Sequence, residues 1–68
     1  MQDFEMRAVG EFDQLCYRIQ QLQEFQAGEL FTGLSAVEQD LLQEQLVIMQ
    51  RYRGVLGARI VHMIENNS

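Results

Sequence analysis

The chain has 68 residues, ten acids against five basic residues, a formal charge of −5, no proline and one cysteine. A length of this order makes at most one small domain, and a single cysteine excludes an intrachain disulfide. Net acidity argues against a binder of duplex DNA or RNA, which carries a basic face, and against docking on anionic membranes.

The basic residues are all arginine: Arg7, Arg18, Arg51, Arg53 and Arg59. Arginine forks onto phosphate or carboxylate and stacks on rings, although it also answers acids in ordinary surface pairs. No apolar run reaches the roughly 20 residues that span a bilayer. The start, Met1-Gln2-Asp3-Phe4-Glu5, lacks the basic and apolar regions of a signal peptide, so a cytoplasmic protein with Cys16 reduced is expected. Chains this short need disulfides, a metal or self-association to offset ordering entropy. Cys16 and His62 are the only soft metal ligands, so no metal or cofactor is expected. Self-association remains.

Strong helix formers dominate, and the expected fold class is all-α. Residues 1–68 are read as one antiparallel two-helix hairpin that assembles into a homo-oligomeric helical bundle. The first helix runs over about 3–26, with Asp3 suited to its N-cap. Phe12, Leu15, Ile19 and Leu22 step by three and four along it, flanked by Cys16 and Phe25, with Phe4 and Ala8 extending the stripe backwards. Gly10 weakens the helix there, so a break or fraying before it is expected. The connection covers 27–34. Gly28 suits a left-handed C′ position, and Thr32-Gly33 marks a second turn. Leu30 and Phe31 are too apolar for a bare loop and are expected to fold back as a plug over the open end. Ser35-Ala36-Val37-Glu38 reads as a capping box that opens the second helix, over about 36–65.

In that helix Leu42, Gln45, Met49, Tyr52, Leu56, Arg59 and Met63 form a heptad seam. Leu41, Ile48, Val55 and His62 repeat every seven residues beside it, and Leu46, Val47, Ile60, Val61 and Ile64 widen the apolar surface. One partner helix cannot cover so broad a face. Gly54 and Gly57 interrupt the helix or permit close approach of another group.

Catalytic groups are sparse. His62 is the only histidine, its nearest acid in sequence is Glu65, and no nucleophile stands at a triad-like spacing, so no enzyme is expected. The glycines fit no phosphate loop. The candidate ligand-binding residues are Tyr17 and Arg18 on the first helix with Gln45, Tyr52, Arg53 and Arg59 on the second, near Met49. Tyrosine offers a ring face to a base, arginine grips phosphate, and glutamine reads an amide-like edge. Equally, Gln45, Tyr52 and Arg59 can be seam residues that set the register of an assembly.

Met6-Arg7, Phe12, Leu15, Arg18-Ile19, Leu22 and Phe25, then Leu34-Ser35, Leu41-Leu42, Gln45-Leu46, Met49, Tyr52, Leu56 and Arg59-Ile60, resemble a family of short phage proteins first annotated from a crAss-like phage. The likeness spans residues 6–62 and departs at both ends, and at Arg18, where that family tends to lysine. It implies a phage protein working in the bacterial host cytoplasm. By analogy with phage anti-CBASS and anti-Thoeris sponges, it implies an oligomer that sequesters a cyclic-nucleotide or ADP-ribose-type immune messenger without turnover. The rival expectation is an oligomeric interaction module that docks on a host protein and inhibits or redirects it.

Overall fold

The computed structural model describes residues 3–66, with side chains from Glu5 onward. Asp3 as a cap, the Phe4 part of the stripe and the end of the polar tail lie outside those side chains. The chain is a long helix-turn-helix: α1 spans Asp3–Gln26, a one-turn α2 spans Glu29–Thr32, and α3 spans Ala36–Asn66. The molecule measures 50 × 15 × 14 Å, so it is two helices wide and about as long as α3.

The three-four spacing of α1 buries Ala8, Leu15 and Ile19 against Leu56 of α3, with Phe12, Leu46, Met49, Ile60 and Met63 packed around them. Ile19 and Leu56 are closed off from solvent, at 1% and 0% exposure. Removing a large aliphatic side chain from water stabilises by about 1.5–3 kcal/mol. The apolar members of the α3 seam thus face α1. Its polar members, Gln45, Tyr52 and Arg59, are exposed.

Neither helix breaks at its glycines. α1 passes through Gly10 and α3 through Gly54 and Gly57, because packing along one face outweighs the roughly 1 kcal/mol that each glycine costs in a helix. Gly57 is the close approach: a Cβ there would lie 3.3 Å from Cε2 of Phe12. Around Gly54 the space is open.

The turn differs from its expected form in two respects. Gly28 is not left-handed. Its backbone is extended, at φ −94° and ψ 171°, and no glycine among the described residues has positive φ. The helix ends instead through short-range bonds, the Ala27 amide donating to the Gln23 carbonyl (3.2 Å) and the Gly28 amide to the Phe25 carbonyl (3.0 Å). Second, only half of the Leu30-Phe31 pair plugs the end. Phe31 is buried and meets Phe25 edge to face, with centroids 6.3 Å apart, whereas Leu30 is 76% exposed. Adjacent positions in a helical turn point about 100° apart, so α2 buries one side chain and exposes the other. At the start of α3 the Ser35 hydroxyl accepts the Glu38 amide at 3.2 Å. That satisfies one of the amides left over at a helix start.

Candidate functional site

The Tyr52 hydroxyl donates to the Glu11 carboxylate, joining α3 to α1 across the side of the hairpin. That bond sets the register for everything near it. Residues seven apart lie on the same side of a helix, about 10.5 Å along its axis. Arg18 therefore follows Glu11 on the same flank of α1, and Gln45 and Arg59 lie either side of Tyr52 on the same flank of α3. By helical spacing Glu11, Arg18, Gln45, Tyr52 and Arg59 fall on one exposed flank of the hairpin, where the contact between Tyr52 and Glu11 joins the two helices.

The other two candidates fall elsewhere. Tyr17 is 61% exposed on the outer face of α1, and its hydroxyl accepts from the Gln21 amide at 2.9 Å. It does not face α3. Arg53 is half-buried on the opposite flank, the side on which Gly57 meets Phe12. Gln45 keeps a loose local contact, its amide 3.8 Å from the Met49 sulfur. Among the described residues no ion pair holds Arg18 or Arg59, so both guanidinium groups retain donors for a further acceptor.

The electrostatics are mixed. Hydrogen bonding to Glu11, then partial burial and the Glu11 charge, push the Tyr52 hydroxyl above its ordinary value, while Arg59 opposes the shift. The phenol therefore stays protonated and donates. On this flank a phosphate is repelled by Glu11 and attracted by Arg18 and Arg59. Glu11 itself accepts, so it suits a ribose hydroxyl or the amino group of a base. Reading the chain by residue type misses Glu11, since one acid among ten carries no mark. The hairpin register was the available signal, because closure near residues 27–35 places position 11 close to the level of position 52.

His62 and Cys16 form no further site. His62 is exposed, with Nε2 2.9 Å from the Asn66 side-chain nitrogen, and Cys16 is a free, half-buried thiol. Among the described residues no group of histidine, cysteine and carboxylate side chains is arranged to hold a metal ion. None of the described helices is long and apolar enough to cross a membrane.

The profile of a family described as Sequestin matches residues 2–62, a name that suggests sequestration. The chain is also similar to the "Uncharacterized 7.5 kDa protein in denB-rIIB intergenic region" of Enterobacteria phage T4, with 39% identity over 57 residues that cover 84% of this chain and 89% of that protein. No solved structure matches the chain. The kinship with small phage proteins holds, through the T4 relative. With nearly its whole length inside the profile, the chain belongs to the Sequestin family.

Proposed function

We propose that this protein is a stoichiometric binder that sequesters a nucleotide second messenger of the cyclic-nucleotide or ADP-ribose type, without turnover, and so serves a phage against host defence. The observation that carries the reading is the flank on which Tyr52, bonded to Glu11, stands with Arg18 and Arg59, neither of which is held by an ion pair among the described residues. A base stacks on the Tyr52 ring, its sugar hydroxyls or amino group meet Glu11, and phosphates reach Arg59 or Arg18. The family name and the phage relative support sequestration in general, and the chemistry of that flank supports a nucleotide as the cargo.

Calorimetry against cyclic di- and trinucleotides and the cyclic ADP-ribose isomers tests it. Binding of one of them at micromolar levels or tighter is expected. Arg59→Ala should weaken it at least tenfold, as loss of a charge-assisted contact worth about 1.5–3 kcal/mol requires. The ligand should be recovered chemically unchanged after heat release. Failure of the whole panel to bind removes the proposal.

A second reading, an interaction module that docks on a host protein, is favoured by the bare aliphatic side chains of α3, among them Leu41, Ile48 and Val55. Under that reading Arg59→Ala leaves no messenger phenotype, and binding to the host protein is lost with the aliphatic residues.

A further inference from the structure

Leu41, Ile48 and Val55 are 61%, 57% and 58% exposed and recur every seven residues about a quarter-turn around α3 from the buried Leu56. They interleave with Gln45, Tyr52 and Arg59. Together they make a second seam with alternating steps of four and three, the spacing that packs against another helix. The chain exposes 5255 Å² for its 7.9 kDa. A compact monomer of that mass exposes about 4400 Å² by the usual surface scaling. The excess is close to the roughly 800 Å² that each partner covers in an interface of standard size.

Charge identifies the occupant. Glu38, Asp40 and Glu44 lie in the first half of α3, while Arg51 stands at its midpoint and Arg59 in its second half, before the terminal Glu65; Arg53 lies on the opposite flank and takes no part. A helix segregated in this way repels a parallel copy of itself and attracts an antiparallel one. With Ile48 at the two-fold axis, Leu41 meets Val55 of the second copy, and each acidic half lies along a basic half. A symmetric interface of this kind is self-complementary, as two-fold pairing requires.

We infer that two copies of this chain dock antiparallel through the Leu41, Ile48 and Val55 faces of α3, and that the messenger site is completed by the second copy. The second clause rests on the nucleotide reading above. A body 15 × 14 Å in cross-section is one helix pair thick and offers a ligand a single open wall. Small-molecule sites bury most of their ligand, about 70–90% of its surface. Bringing the Gln45, Tyr52 and Arg59 columns of two copies to one seam supplies the second wall.

Sedimentation of the wild-type chain should give twice 7.9 kDa; a monomer throughout the micromolar range overturns the proposal. Ile48→Glu should sediment as a monomer with its helical circular dichroism kept. Cysteine pairs settle the geometry even if that variant unfolds. On a Cys16→Ser background, Leu41→Cys chains mixed with Val55→Cys chains should cross-link to each other far more than either does to itself. Self-cross-linking of each variant alone, or none in the mixture, overturns the antiparallel seam. The shared site is read separately, by calorimetry with whichever panel nucleotide the wild type binds. The folded Ile48→Glu monomer should bind at least tenfold more weakly, and unchanged affinity places the site within one hairpin. If no nucleotide binds, the cross-links still decide the dimer, so the two ideas fail independently.

Discussion

Gln39 ties the joint of the molecule. Its side-chain amide reaches back from the first turn of α3 to the carbonyls of Phe31 (2.9 Å) and Leu34 (3.2 Å), with Thr32 at the outer limit of 3.5 Å. These carbonyls fall at the end of α2 and in the turn after it, where the helix ladder supplies few partners. Gln39→Ala should therefore cost about 1–2 kcal/mol, the value of one or two such bonds, seen as a lower urea midpoint at unchanged slope. Tyr52 makes a prediction in pH. Because the folded state raises its pKa, through the hydrogen bond to Glu11 first, the unfolded chain loses the phenolic proton first as pH rises. The contribution is fully present below the free tyrosine value of about 10 and is lost as pH climbs from there through the folded value. The wild-type urea midpoint should fall above that pH by more than that of Tyr52→Phe, which lacks this hydroxyl. Equal slopes for the two proteins would remove Glu11 as a partner.

At the scale of elements, the two α3 glycines separate helix propensity from packing. Gly54 has open space where a Cβ would stand, so Gly54→Ala should stabilise by about 0.5–1 kcal/mol. Gly57→Ala gains the same propensity but presses on the Phe12 ring, which must shift by a few tenths of an ångström. Its thermal midpoint should therefore lie below that of Gly54→Ala. The helices themselves were legible, since the three-four spacing of Phe12, Leu15, Ile19 and Leu22 has no reading as a strand, and Ser35 with Glu38 marks a helix start. The turn was less so. Gly28 can adopt left-handed or extended backbone equally well, and which it takes depends on how α2 packs Phe31 onto Phe25. Leu30 and Phe31 are equally apolar as letters, and only the direction of the helical turn separates them. On the flank that carries the candidate site, Gln45, Tyr52 and Arg59 stood out as polar residues in an apolar seam. Glu11 did not, because its role depends on a contact 41 residues distant in the chain.

The whole molecule is a rod with little interior. Among the described residues the buried apolar side chains are Ala8, Leu15, Ile19, Phe31 and Leu56, a small core for 68 residues. If the proposed dimer forms, association supplies part of the stability and couples it to concentration. The thermal midpoint should rise with protein concentration by mass action, and Ile48→Glu should abolish that rise. A midpoint that stays constant over a hundredfold dilution would mean that the hairpin stands alone. Val47, Val61 and Ile64 add exposed aliphatic surface to α3 beyond the proposed seam, so the proposed dimer would retain apolar area on its flanks.

The bond between Tyr52 and Glu11 also has an optical consequence. The chain contains no tryptophan and two tyrosines, so its near-ultraviolet emission is tyrosine emission alone. An excited phenol is a stronger acid than a resting one and passes its proton readily to a bound carboxylate, which leaves Tyr52 dim while Tyr17, paired with an amide, stays bright. Whatever draws Glu11 away brightens the protein, and whatever stacks on the Tyr52 ring darkens it further. The flank thus carries its own lamp, and its occupancy is legible without a label.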